Sequence, residues 1–529
     1  MLSCHRLLSI FVSLGLLLTC QASPVPSSAI VSTSKGQVQG YSGSSGNRYT
    51  IPYGKSPTQA LRFRRSEAIE SFTSLYDASK LPKACLQQAS NDTPENQSED
   101  CLFMNIFTPK NAQPTSKLPV FVWVHGGSFL AGSTKDLDGF ALANSQNMIV
   151  VTVQYRLGYF GWLKYDPWGV EGNMGLRDVI LALQTVQQDI GAFGGDSSLV
   201  TLAGQSSGAQ MVKALLSTPS ASSLFKRAII HSAPLDYSPQ APALANAVGS
   251  AFLFDIAFAG NSICGKQNSG CLWRRTSPQE FFQAQSALVY AALKGAFGDS
   301  VPFAEPFNIV ADGELVTGDG QQIVNTDKEI IFTTVKDEGC PAVATALPFV
   351  ADETNDQIIE TFFRGRASAI IQSGLYPTEG ADSTAVESTL VQLATDFYWV
   401  CPNQQFATAA ASKSTVYLGE FDLGIQAATT AAFPQCDNKV GHEDDISVVF
   451  NRSSSSLSSA QTNLVKEVQA RWGAFTRSGN PNASGYSNWP ALPSNGGGLE
   501  VLKLGAGSNG ASSLATSQRT EACKLYGSI

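Results

Sequence analysis

Histidine is scarce in this chain: four residues in 529, at positions 5, 125, 231 and 442. Any chemistry that runs on an imidazole must draw on that short list. No H-x-x-x-H or C-x-x-C pair occurs, so common zinc-ligand spacings are missing. Gly40, Gly43 and Gly46 have the wrong spacing for a dinucleotide phosphate loop and lack its strand-turn-helix setting. Basic clusters are few and the net charge is -8, which argues against a nucleic-acid or anionic-membrane partner. Long apolar runs are confined to Leu7–Leu18, too short for a good membrane span, and no apolar tail follows for a lipid anchor. No metal, no cofactor, no nucleic acid and no stable membrane insertion are therefore expected. Oligomeric state is not legible.

The opening residues read as a processing signal. Met1–Arg6 carries the early charge, Leu7–Leu18 is apolar, and Cys20-Gln21-Ala22 is a small-x-small cleavage site. Residues 1–22 are expected to be a signal peptide, and 23–529 one domain secreted to the extracellular space. Removing Cys4 and Cys20 leaves eight cysteines, an even set that suits disulfides in an oxidising compartment. Asn91, Asn96, Asn451 and Asn482 begin N-x-S/T sequons and are expected at the surface of a glycoprotein.

Strand and helix patterns alternate over the first half. Ile30–Gly40 suggests a hairpin. Leu118–Val124, LPVFVWV, is nearly all apolar, as a strand covered on both faces would be. Asn147–Gln154 predicts the next strand, Asn173–Gln188 a helix, and Ala228–His231 a short strand. Further on, Pro242–Phe258 and Gln279–Leu293 read as helices, Ile330–Val335 and Thr415–Phe421 as strands, and Gln461–Phe475 as a helix. Asn495–Gly498 and Gly505–Gly510 read as loose connections. This rhythm implies an α/β fold with a large, mostly parallel central sheet flanked by helices.

The stretch Leu199–Leu216 holds Gly204-Gln205-Ser206-Ser207-Gly208, a G-x-S-x-G motif between a strand and a helix pattern. That corner lifts a serine hydroxyl into the open above a helix N-terminus, where an oxyanion would form. His125-Gly126-Gly127-Ser128-Phe129 follows the LPVFVWV strand, and its glycines let backbone N–H groups face a cavity. His5 lies in the signal segment, His125 belongs to the glycine turn, and His231 ends a strand. His442, on a loop between Gly441 and acidic residues, is the candidate general base. A carboxylate must orient it. Glu338 follows the IIFTTV strand and leads, although local sequence does not separate it from Asp337; Asp312 and Asp396 stand behind.

The ordered motifs resemble the type-B carboxylesterase/lipase family of α/β hydrolases, which includes cholinesterases and certain fungal lipases. The likeness runs through RFRR near residue 64, Glu99-Asp100-Cys101-Leu102, HGGSF and Tyr155-Arg156-Leu157-Gly158. GNMGLRD at 172–178, AFGGD, GQSSGA, LFKRAIIHS, DEG, Cys401-Pro402 and the Gly441-His442 loop continue it. The resemblance implies Ser206, Glu338 and His442 as a triad, with Gly127, Ser128 and Ser207 as backbone oxyanion donors. It implies that Ser232 hydrogen-bonds around the acid. It also implies Cys85–Cys101, Cys264–Cys271 and Cys401–Cys523 disulfides, leaving Cys340 and Cys436 to join the acid loop to the histidine loop.

Gln205 stands where the family usually has Glu, Ser207 where Ala is usual, and Ser128 where a third glycine is common. No tryptophan lies between Cys85 and Cys101, so a cation-stacking residue is missing there. That loop is short and polar, which does not suit an apolar lid. The expected activity is therefore a secreted serine esterase acting on short- to medium-chain or small soluble carboxylic esters. A triacylglycerol lipase or sterol esterase is the alternative within enzymes, and a non-catalytic adhesion or binding protein of the same fold is the alternative outside them.

Overall fold

The computed structural model describes residues 29–88, 94–234, 239–258, 277–293, 296, 305–317, 327–347, 354–377, 383–453, 456–494 and 498–528. The signal segment, Asn91 and the Cys264/Cys271 pair lie outside the described residues.

The main sheet contains, in chain order, β1 Ala29–Thr33, β2 Gly36–Gly43, β3 Gly46–Pro52, β4 Tyr76–Ala78, β5 Phe103–Thr108, β6 Leu118–Val124 and β7 Ile149–Val153. It continues with β8 Gly195–Gln205, β9 Arg227–His231, β10 Glu329–Val335, β11 Thr415–Phe421, β12 Glu500–Leu504 and β13 Ser513–Thr516. Their spatial order is β1-β2-β3-β5-β7-β6-β8-β9-β10-β11-β12-β13, with β4 beside β2. The strands from β7 across to β12 are parallel. The edges are antiparallel. With helices on both faces, this is the α/β-hydrolase arrangement.

Parallel strands need crossovers, and the crossover helices bury both faces of the sheet. Strand β6 shows the result: all seven residues are buried. Val120, Val122 and Val124 pack with Leu176, Val179 and Leu183 of the helix Met174–Asp189. Phe121 and Trp123 pack on the opposite face with Leu464, Val468 and Trp472 of the helix Ser459–Ser478. Full burial of each such side chain contributes about 1.5–3 kcal/mol. The second helix begins before Gln461 because Ser458 caps it, with Gln461 closing the reciprocal bond.

Two features were not foreseen. Strands β12 and β13 extend the sheet beside the expected loose connections, and they are short edge pieces with little apolar period to read. The helix Ser383–Ala394 runs through a π-helical turn, Thr395–Val400, into a further helix, Cys401–Ala411. Among the described residues, no helix is long and apolar enough to cross a membrane.

The YRLG and GLRD motifs meet as a buried ion pair. Arg156 Nε and Nη2 reach the two oxygens of Asp178 at 2.8 and 2.7 Å, and the Arg156 N–H adds a third bond at 3.1 Å. Removing one partner strands a buried charge. Asp178→Ala is therefore expected to cost about 3–5 kcal/mol, seen as a lower urea midpoint with an unchanged slope. The paired replacement Arg156→Met/Asp178→Leu should recover much of that loss.

Candidate active site

In open α/β sheets, sites form beyond the carboxyl ends of the parallel strands. Here β6 runs into the HGGSF loop, β8 into Ser206, β10 into Glu338, and β11 toward His442. The candidate residues thus converge on one edge of the sheet.

Ser206 sits between β8 and the helix Ser207–Leu216 with φ +56° and ψ −127°. An L-residue held there is strained by about 1–3 kcal/mol. Both flanking glycines are needed because the corner is so close-packed. A Cβ on Gly204 would lie 2.6 Å from the Gly208 backbone, and one on Gly208 would lie 2.3 Å from the Val124 carbonyl oxygen. The Ser206 N–H donates to the His231 carbonyl at 2.9 Å, fixing the corner to β9.

The HGGSF loop carries three successive positive φ values: Gly127 +113°, Ser128 +53° and Phe129 +58°. Such a run turns neighbouring N–H groups toward a common concavity. The N–H groups of Gly127, Ser128 and Ser207 donate to no acceptor among the described residues. They can therefore serve an oxyanion. His125 does not move protons here. Burial pulls its pKa down to about 4, its Nδ1–H donates to the Gly126 carbonyl at 2.8 Å, and its ring stacks on Tyr155 at 4.4 Å.

His442 Nδ1 lies 2.6 Å from Glu338 Oε2. The other Glu338 oxygen accepts the Val335 N–H at 2.9 Å, and the residue is fully buried. Burial alone lowers the imidazole pKa. The adjoining Glu338 carboxylate, with Glu443 and Asp445, overcomes this and leaves it above the ordinary histidine value. With Nδ1–H directed at Glu338, Nε2 carries no proton and faces the Gln205 side-chain amide at 3.2 Å. The Trp399 ring lies over the imidazole, 5.2 Å between centroids.

The rival carboxylates are placed elsewhere. Asp337 Oδ2 accepts the Val440 N–H at 3.0 Å while its own N–H donates to the Val440 carbonyl, so it staples the acid loop to the histidine loop. Asp312 caps a turn and holds Asn173, and Asp396 binds Arg519 and Tyr376. Ser232 is fully buried just past the end of β9, and its hydroxyl has no hydrogen-bond partner among the described residues. Glu338 takes its hydrogen bonds from His442 Nδ1–H and the Val335 N–H rather than from Ser232. Sequons Asn96, Asn451 and Asn482 are exposed, as expected. Asn482 Nδ2 also bonds Asn480 Oδ1 and the Trp489 carbonyl, both at 2.9 Å.

Among the described residues three disulfides close: Cys85–Cys101, Cys401–Cys523 and Cys340–Cys436. The last joins the loops that carry Glu338 and His442.

Several site residues escaped the sequence. Asp445 Oδ2 meets His231 Nδ1 at 2.7 Å, and Trp472 Nε1–H donates to His231 Nε2 at 3.1 Å. Asp444 accepts the Gly441 and Ala427 N–H groups at 2.8 and 2.7 Å. Burial raises its carboxyl pKa to about 7. The run Glu443-Asp444-Asp445 was the available signal, but its sequence reads as solvated charge.

A serine, an imidazole on a carboxylate and a cradle of free N–H groups define the class: a serine hydrolase of the α/β-hydrolase fold. The chain belongs to the carboxylesterase family, whose model matches residues 27–525. It is 30% identical over 482 residues to the para-nitrobenzyl esterase of Bacillus subtilis, across 87% of this chain and 92% of that protein. It is 29% identical over 550 residues to carboxylesterase 1D of Mus musculus, across 94% and 93%. A solved pNB esterase superposes with TM-score 0.77 at 27% identity, covering 94% of this chain and 99% of that one. Family membership makes this an ester hydrolase.

Two predictions follow from the geometry. Gln205 Nε2 lies 3.2 Å from His442 Nε2, where its N–H stabilises the neutral ring. A carboxylate there would stabilise the imidazolium instead. Because the base works only when neutral, Gln205→Glu should move the acid limb of the kcat/KM profile to higher pH by about one unit, with the alkaline plateau little changed. Replacing Cys340 and Cys436 together by serine opens a loop of 96 residues. The chain-entropy account puts that loss at about 4–5 kcal/mol, measured as a lower unfolding midpoint. Peptide mapping of the native protein should find neither thiol free.

Proposed function

We propose that this protein is a secreted serine carboxylesterase acting on short- to medium-chain or small soluble esters. Ser206 attacks the ester carbonyl while His442 Nε2 takes its proton. The N–H groups of Gly127, Ser128 and Ser207 hold the oxyanion. His442 returns the proton to the leaving alcohol, then activates water to clear the acyl-enzyme. Glu338 stays ionised and keeps the proton on Nδ1. The 2.6 Å contact of His442 with Glu338, on the same sheet edge as the strained Ser206 corner, carries this reading.

The substrate range rests on the Cys85–Cys101 loop. Its ends lie only 16 residues apart, its sequence is polar, and Glu95 and Asn96 within it are exposed. Nothing in that composition offers an apolar surface to a lipid droplet. The name of the para-nitrobenzyl esterase relative fits small aryl esters. Secretion rests on the signal-like first 22 residues, three disulfides and the exposed Asn96 and Asn451 sequons.

Hydrolysis of p-nitrophenyl esters from acetate to palmitate should peak at short chains. Ser206→Ala should abolish it, with a fall of at least about 1,000-fold in kcat. Tributyrin hydrolysis should rise smoothly through its solubility limit. A long-chain optimum with a jump at that limit would mark a lipase. An inert, correctly disulfide-bonded wild type would mark a binding protein.

A further inference from the structure

The segment that opens with Glu305 is tied down along its length. Gln240 Nε2–H donates to the Pro306 carbonyl at 3.0 Å, and the Gln240 N–H donates to the Ile309 carbonyl at 2.7 Å. Asn173 exchanges two bonds with Val310, both 2.8 Å. Glu305 is therefore fixed in place, and it is only 5% exposed. Its carboxyl lies beside the Ser128 side chain on the HGGSF loop, within electrostatic reach of His442 and Tyr155. Oε2 is fully buried, and among the described residues it has no hydrogen-bond partner and no lysine or arginine pairs with it.

Buried carboxyls are ordinarily held by a cation or by several donors, because an unpaired one is costly. Burial raises the Glu305 pKa to about 7, with Ser128 and His442 pulling it back only in part. The proposed acyl transfer makes no use of this group. A polar atom next to the reacting centre that the protein leaves unpaired is one a substrate can satisfy.

Resting on the esterase reading, we infer that Glu305 is a substrate-recognition residue: with Ser128 it forms a polar subsite for a hydroxyl carried by the ester close to its scissile carbonyl. A hydroxyl donates to the carboxylate and accepts from the acid, so it is served on both sides of neutrality. An ammonium group would be served by the ionised form alone. A purely aliphatic chain at that place leaves Oε2 unpaired and is discriminated against.

Two matched pairs test this on the full-length enzyme. Comparing p-nitrophenyl 3-hydroxybutyrate with p-nitrophenyl butyrate puts the hydroxyl on the acyl side. Comparing 2-hydroxyethyl butyrate with propyl butyrate puts it on the alcohol side. Wild type should favour the hydroxylated member of one pair in kcat/KM by about tenfold. Glu305→Leu should erase that preference, and Glu305→Gln, whose amide also donates and accepts, should keep most of it. Each ratio is taken within one preparation, so an incompletely folded fraction cancels, and Glu305→Met replaces the leucine variant if that fails to fold. No preference in wild type for either pair, or a preference that survives the aliphatic variants, overturns the inference. A wild type inert toward both plain butyrates overturns the esterase reading, and this inference falls with it. A wild type active on them through Ser206 but blind to the hydroxyl overturns this inference alone.

Discussion

The approach of Gly208 to the Val124 carbonyl governs the geometry of the site. Any side chain at Gly208 would collide with that oxygen at 2.3 Å. The helix Ser207–Leu216 can therefore begin directly against the end of β6, with the HGGSF loop alongside. That closeness leaves Ser206 no ordinary backbone conformation, and it settles at φ +56°. The strain is held by the long-range pairing of β8 with β6 and β9, which the corner itself cannot undo. On a relaxed turn the serine would be free to leave this position; here the sheet holds it at the corner.

The histidine loop has no such sheet of its own, so it is held from several sides. Asp337 clamps Val440, Asp444 caps Gly441, the Cys340–Cys436 disulfide ties the loop to the acid, and Asp445 engages His231. The last contact has a consequence for the nucleophile. His231 is buried between Asp445 and Trp472, and its carbonyl accepts the Ser206 N–H. The loop of the proposed base and the corner of the proposed nucleophile therefore share one buried imidazole behind the site. Preorganisation of this kind places reacting groups before substrate arrives, which is where much of the catalytic gain in acyl transfer originates.

How much of this the sequence discloses depends on the range of the interaction. Strand β6 and the helix Pro242–Phe258 match their expected bounds, because apolar pattern and burial are local statements. Ser206 was legible because the strain of its corner demands glycines at fixed offsets. Glu338 and Asp337 were not separable locally. Adjacent residues on one turn point in different directions, and only the position of the loop 104 residues later decides which carboxylate meets the imidazole. Asp444 and Asp445 were misleading for the opposite reason: three consecutive acids look solvated, yet both are buried by partners distant in sequence. Ser232 marks the limit of motif transfer: the residue type is retained, while among the described residues its hydroxyl has no hydrogen-bond partner.

The pattern of charge around the site follows from what has been exchanged. An amide at position 205 removes a negative charge next to the proposed base, while Glu305 adds a carboxyl beside the oxyanion loop. These are not equivalent positions. The Gln205 amide contacts His442 Nε2 directly, so its neutrality keeps the ring from being trapped as an imidazolium. Glu305 acts on His442 only through space and is itself poorly solvated, so near neutrality a part of it carries no charge. With an amide at 205 and the acid at 305, two tasks that one carboxylate would confound fall, in the reading proposed above, to different residues: setting the basicity of the histidine, and offering a polar partner to the substrate. A basic imidazole and a poorly solvated carboxyl can then coexist within electrostatic reach of one another.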